Sequence, residues 1–151
     1  VVKMINISFL NLRVIKENAG RYDVDKKIQC PNDIFNIAQN VIRASEYPEE
    51  NLWLLTLDTK NNITGIFTVS TGSLNSSIVH PREVFKRAVL QNAASIIICH
   101  NHPSGDATPS AEDISITKRL HKAGEILGIK LLDHIIIGDN KYTSLKERGV
   151  F

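Results

Sequence analysis

The sequence predicts an α/β (α+β) fold in which a mixed, curved sheet packs against helices. Short apolar runs of strand length recur at residues 52–57, 63–69, 96–98 and 131–137. Before and between them lie longer stretches with apolar residues at helical spacing, around Ile34 and Ile37, Val84 and Ala88, and Leu120 and Leu127. The resulting order is strand, helix, hairpin, helix, strand, helix, hairpin, which layers helices on a sheet around one core.

Each element follows from its residues. Residues 5–15 alternate apolar and polar side chains, as in Ile5, Ile7 and Phe9, and predict a strand that Asn18-Ala19-Gly20 breaks. Asn32 or Asp33 caps the next helix, whose Ile34, Ile37, Ala38, Val41 and Ile42 face the core, and which ends near Tyr47-Pro48. Residues 52–57 and 63–69 form a hairpin across the polar turn 58–62. On its second strand Phe67 and Val69 share one face; Ile66, Thr68 and Ser70 share the other, which is expected to contain the site. The small, polar residues 70–77 read as a solvated loop, with a peptide-binding groove as the alternative. Pro81-Arg82-Glu83 starts a helix that Asn92 ends, and a further helix runs from Ala111 to the C′ residue Gly128. Residues 131–137 make a strand that turns at Gly138-Asp139-Asn140 into Tyr142-Thr143-Ser144.

The stretch richest in chemistry follows the apolar run Ile96-Ile97-Ile98-Cys99. His100 and His102 are one residue apart at the end of that strand, so both imidazoles point to one side. Pro103 ends the strand, the chain turns through Ser104-Gly105, and Ser110 caps a helix whose first turn carries Asp113. Two neutral nitrogens and one carboxylate, with a position left for water, make the ligand set of an open, catalytic Zn2+ site. The same residues also permit a plainer account: Ser110 and Asp113 as a capping box, and the histidines solvated at a turn. Cys99 falls on the opposite side of the strand and reads as a core residue; with Cys30 in a loop, no disulfide framework is implied. Of the other histidines, His80 precedes or caps a helix and His121 is solvated among Lys118, Arg119 and Lys122. His134 reads as a buried, hydrogen-bonded imidazole rather than a fourth ligand.

His100-x-His102, Pro103-Ser104-Gly105, Pro109-Ser110 and Asp113 resemble the JAMM metalloprotease motif of the JAB/MPN domain, in the form found in the bacterial RadC family. His80-Pro81-Arg82-Glu83-Val84-Phe85 and Leu132-Asp133-His134-Ile135-Ile136-Ile137-Gly138-Asp139 resemble segments of the same family, so the likeness runs from about Asn51 to the C-terminus. The resemblance implies a JAB/MPN-like fold for residues 51–151; length and composition, those of one globular domain, put residues 1–50, with their strand and helix, in the same domain. It implies that His100, His102 and Asp113 bind zinc, that Ser110 supports the oxyanion, and that a glutamate on an earlier strand is the general base. RadC-like sequences carry that glutamate four residues before the glycine matching Gly72, where this chain has Thr68. A threonine hydroxyl holds a water but does not take its proton at neutral pH. Glu83 and Glu112 are the nearest carboxylates in sequence to replace it, although both read more simply as acids at helix N-termini.

These readings predict a metallohydrolase that cleaves a peptide or isopeptide bond in a peptide or protein substrate through a zinc-activated water. Thr68 keeps open an alternative, a zinc-binding but catalytically silent module that recognises peptides or proteins. The association of the RadC name with DNA repair supplies a second alternative. Composition is that of an ordinary globular chain: 151 residues, 42% hydrophobic, 23% charged, net charge +2. The basic residues are scattered, so direct nucleic-acid binding is not expected. The opening residues are too polar for a signal peptide and no apolar run has membrane-spanning length, which places the protein in the cytoplasm and off the membrane.

Overall fold

A computed structural model describes residues 1–72 and 79–151. Its helices are α1 (Pro31–Ile37), α2 (Pro81–Leu90) and α3 (Ala111–Leu127); its strands are β1 (Asn51–Leu57), β2 (Ile63–Thr71), β3 (Ser95–Asn101), β4 (Lys130–Ile137) and β5 (Tyr142–Ser144). The five strands form one sheet in the order β2-β1-β3-β4-β5. β3 and β4 are parallel and the other neighbours antiparallel, so the sheet is mixed. Helix α3 is the crossover between the two parallel strands, and its N-terminus follows the carboxyl end of β3. In open α/β sheets that end is where ligands bind.

The central strands are buried on both faces, which explains their continuous apolar runs. On one face Leu52, Leu54, Ile96, Ile98 and Leu131 pack against Val84, Phe85 and Ala88 of α2 and Ile116 and Leu120 of α3. On the other, Trp53, Leu55, Ile97, Cys99, Ile135 and Ile137 pack against Ile34 and Ile37 of α1. Each fully buried aliphatic side chain contributes roughly 1.5–3 kcal/mol.

Two N-terminal expectations need correction. The strand predicted over residues 5–15 does not form, and residues 1–23 are exposed without regular structure. Alternation alone is insufficient: a strand needs a partner for its backbone groups, and this segment joins neither β2 nor β5 at the sheet edges. Pairing starts later, where the Ile28 amide donates to the Asn61 carbonyl and the Ile63 amide to that of Lys26. The following helix is also shorter and begins earlier than its periodicity predicts. Cys30 is its N-cap and Pro31 its first residue, while Asp33 accepts hydrogen bonds from the Gln29 and Cys30 amides at 2.7 and 3.0 Å. It then widens into a π turn over Ala38–Ile42 and breaks at Arg43, whose φ is 59°. The apolar residues still reach the core, but through a looser turn than the spacing implies.

Later elements match expectation closely. His80 caps α2, its Nδ1 accepting from the Arg82 amide at 3.1 Å. Gly128 closes α3 with φ 71°. The loop expected at residues 70–77 falls mostly outside the described residues. Among the described residues no helix is long and apolar enough to cross a membrane.

Gly124 is where α3 meets β4. A Cβ there would run into the Ile129 carbonyl oxygen, a backbone atom that cannot swing aside, and would also touch Phe85. Alanine gains about 1 kcal/mol in helix propensity, yet overpacking against fixed atoms costs roughly 1–3 kcal/mol. Gly124→Ala is therefore expected to lower stability by up to about 2 kcal/mol in urea unfolding; higher stability would show that the α3–β4 contact is not tight.

Candidate metal centre

The site is assembled from β1, β3 and the start of α3. In the antiparallel register of β1 and β3, Leu52 pairs with His100, and Leu52 belongs to the face packed on α2 and α3. His100 therefore points to that face, under the first turn of α3. Following the register two residues further in each direction brings Glu50 alongside His102. Glu50 Oε1 is 3.9 Å from His102 Nε2, and the donor atoms of Glu50, His100 and His102 all lie within 4.8 Å of one another.

Asp113 completes the cluster. Its Oδ1 is 3.1 Å from His100 Nε2 and its Oδ2 3.3 Å from His102 Nε2, while the two Nε2 atoms are 2.9 Å apart. Capping and site-forming roles coexist in this residue. Asp113 Oδ2 accepts from the Ser110 amide at 2.7 Å, and Ser110 Oγ accepts from the Asp113 amide at 3.1 Å. The helix cap thus fixes the carboxylate that faces the imidazoles.

Hydrogen-bond partners determine which ring nitrogens carry protons. His102 Nδ1 lies 2.7 Å from the Asp106 carbonyl, which only accepts, so Nδ1 donates and Nε2 presents a lone pair when the ring is neutral. Thr117 Oγ1 is 2.6 Å from the Asp113 carbonyl oxygen. Two oxygens so close must share a proton, and only the hydroxyl has one. The 2.6 Å contact from Thr117 Oγ1 to His134 Nδ1 is then donated by the ring. His134 is fully buried and its pKa lies well below the ordinary value, because burial disfavours the cation and His100 adds repulsion. A neutral His134 protonated on Nδ1 accepts at Nε2 from His100 Nδ1, 2.7 Å away. His100 Nε2 is left bare.

Two imidazole lone pairs and a carboxylate thus converge within 2.9–3.3 Å with no proton of their own between them. Such an arrangement calls for a cation. Zinc held by nitrogen and oxygen at about 2.0–2.1 Å in a tetrahedral shell sets its ligand atoms roughly 3.3 Å apart, and the donor set fits it. Electrostatics agree. Burial acts to raise the Asp113 carboxyl, but the His100 and His102 side chains against it outweigh burial and hold the group well below the usual carboxylate range. The bond to Asp113 raises His102 in turn, against the opposing effect of burial. With no cation bound, His102 keeps a proton to higher pH than a free imidazole.

The remaining predicted residues divide. Ser110, three residues before Asp113, is exposed and exchanges the two cap hydrogen bonds with it. Thr68 does not reach the cluster: it pairs with Trp53, whose side chain faces α1, and it is exposed on that far side. The face expected to hold the site is therefore the wrong one for Ile66 and Thr68. A register shift between Leu52 and Trp53 breaks the alternation and turns Ser70, paired with Leu52, toward α2 and α3. Glu83 instead forms ion pairs with Lys86 at 2.6 Å and Arg87 at 3.3 Å on α2. Glu112 is exposed in the first turn of α3. Cys99 is buried on the α1 face, and burial pushes its thiol up to about 12. His121 packs on Phe151 and lies 3.5 Å from Glu125, away from the centre.

Sequence reasoning missed Glu50 and the residues that hold it. Asn101 Oδ1 accepts from the Asn51 amide at 2.7 Å, and Asn101 Nδ2 donates to the Glu49 carbonyl at 3.0 Å. The Gly72 amide donates to the Glu50 carbonyl at 2.7 Å. Both neighbours of the Glu50 peptide are thereby tied to β3 and the end of β2. The signal was an acid two residues before the Leu52 that faces His100, legible only once β1 and β3 are known to pair.

A family model described as the RadC-like JAB domain matches residues 28–150. Among curated proteins, the chain is 51% identical over 148 residues to a UPF0758 protein of Clostridium botulinum (strain Loch Maree / Type A3), covering 98% of this chain and 63% of that protein. It is 56% identical over 126 residues to a UPF0758 protein of Clostridium beijerinckii, covering 83% of this chain and 54% of the relative. It is 54% identical over 123 residues to one from Desulfitobacterium hafniense, covering 82% and 53%. The chain thus spans between about half and somewhat under two thirds of the length of these relatives. Fold, motif and similarity over nearly all of its residues agree, and the chain belongs to the RadC-like JAB domain family.

Proposed function

We propose that this domain is a zinc-dependent hydrolase of peptide or isopeptide bonds, acting on a peptide or protein substrate. The observation that carries this reading is the carboxylate of Glu50 beside two bare imidazole nitrogens and Asp113. His100 Nε2, His102 Nε2 and Asp113 would hold the ion. Zinc supplies a water of near-neutral pKa and polarises a carbonyl.

The chain's own residues supply the rest. Glu50 is placed to take a proton at its carboxylate and to return it to the departing amine, the acid–base work that a threonine cannot do. Ser110, whose oxygen accepts from the Asp113 amide, would turn its O–H toward the developing oxyanion. The pocket beside His102 is lined by Tyr47, Asn101, Pro103, Ser104, Gly138 and Asp139, with a volume of about 210 Å³. It is a place for one substrate side chain. The silent-module alternative draws on Thr68; the Glu50 carboxylate, one residue before β1 and 3.9 Å from His102 Nε2, supports the hydrolase reading instead.

Three results test this reading. Elemental analysis of protein purified without chelators should find near one zinc per wild-type chain and loss of it in His102→Ala and Asp113→Ala. A folded wild-type chain that takes up no zinc would end the hydrolase reading. Glu50→Gln should retain zinc and lose about 10²–10⁴ in peptide-cleavage rate, whereas Thr68→Glu should change the rate little. The reverse pattern would return the base to Thr68's position. Because Asp113 raises His102, zinc must displace a proton below that raised pKa. Zinc affinity should then climb with pH by about tenfold per unit and level off above the His102 pKa; a flat profile from acid to neutral pH would contradict a proton in the cation's place.

A further inference from the structure

Building on the metal-centre reading, we infer that Thr117 and His134 form a proton relay that positions His100 for metal binding by fixing which of its ring nitrogens is bare. Neither residue is among the ligands. The relay starts at the Asp113 main-chain carbonyl, which accepts from the Thr117 hydroxyl at 2.6 Å. Thr117 Oγ1 accepts from His134 Nδ1 at 2.6 Å, and His134 Nε2 accepts from His100 Nδ1 at 2.7 Å. Every proton in the series points away from the centre. The direction is set at its far end, where a carbonyl that only accepts faces a hydroxyl.

Burial makes the setting firm. Thr117, His134 and His100 are each fully excluded from solvent, so no water is at hand to satisfy a reversed proton. The relay also closes on itself, because the carbonyl at its start belongs to Asp113, whose carboxylate faces His100 Nε2. One residue thus sets the carboxylate from its side chain and the imidazole tautomer from its backbone. Groups hydrogen-bonded behind a metal-binding histidine typically govern affinity by 10–100-fold.

Thr117→Val keeps the shape and removes the hydroxyl. His134 Nδ1–H then has no acceptor, the ring is driven to carry its proton on Nε2, and that proton turns on His100 Nδ1. His100 must respond by protonating Nε2, the atom that faces the metal. Zinc affinity, measured by competition with a chromophoric chelator, should fall about 10–100-fold in Thr117→Val and stay near the wild-type value in Thr117→Ser, which restores the hydroxyl. In metal-free protein, long-range ¹H–¹⁵N correlation should place the His100 proton on Nδ1 in the wild type and Thr117→Ser, and on Nε2 in Thr117→Val. If Thr117→Val does not fold by circular dichroism, His134→Gln and His134→Leu replace it. The glutamine carbonyl can still accept from His100 Nδ1, so affinity should be higher in His134→Gln than in His134→Leu. Wild-type zinc binding with an unaltered Thr117→Val, or with glutamine and leucine equal, would overturn the relay alone. Absence of zinc binding in the wild type would overturn the metal centre beneath it, and the ¹⁵N pattern would still judge the tautomer.

Discussion

The antiparallel register of β1 against β3 is the constraint on which the centre depends. With Leu52 opposite His100, the side chains of alternate residues fall on the α2/α3 face, and Glu50 arrives beside His102. A slip of one residue would send His100 into the α1 core and bring Cys99 to the site. The slip is resisted from both faces, since it would also exchange the buried set of Leu52, Leu54, Ile96 and Ile98 for that of Trp53, Leu55, Ile97 and Cys99. Asn101, bonded to the Asn51 amide and the Glu49 carbonyl, locks the register where packing ends and the polar site begins.

Local and long-range determinants divide cleanly in this chain. His100, His102 and Asp113 were legible because a strand end, a proline-terminated turn and a capped helix lie within fourteen consecutive residues, and each has its own local signature. The hairpin, α2, α3 and the strand containing His134 were legible for similar reasons. Glu50 was not, because its place comes from pairing between strands separated by a hairpin and a helix, and nothing near Glu50 announces that partner. Thr68 misled for a related reason. Its alternation was read correctly along the strand, but which face meets the helices is decided by Trp53 across the hairpin and by the irregularity at Val69 and Ser70. The predicted strand at residues 5–15 shows the limit of periodicity: the pattern is present and a partner is not.

Asp113 illustrates how few residues a candidate metal centre requires when each acts twice. Its carboxylate caps α3 and faces both imidazoles, so helix stability and site charge are coupled through one side chain. Asp133 shows the contrast. It is buried beside His134 with a carboxyl raised by burial, and its partners are Ser144, the Lys146 amide and its neighbour's amide, all serving the β4–β5 junction. Two aspartates at similar depth are thus separated in role by what surrounds them.

Cys99 adjoins His100 in the chain yet lies on the opposite side of the sheet, fully buried among aliphatic side chains. Thiolate is the form that peroxides attack and that soft metals seek, and burial suppresses it here. The centre is consequently built from nitrogen and oxygen donors alone, with the nearest sulfur shut away behind a layer of backbone. Peroxide therefore has no thiolate to attack within this donor set. Copper(I), which seeks sulfur donors, would find no soft donor among these side chains.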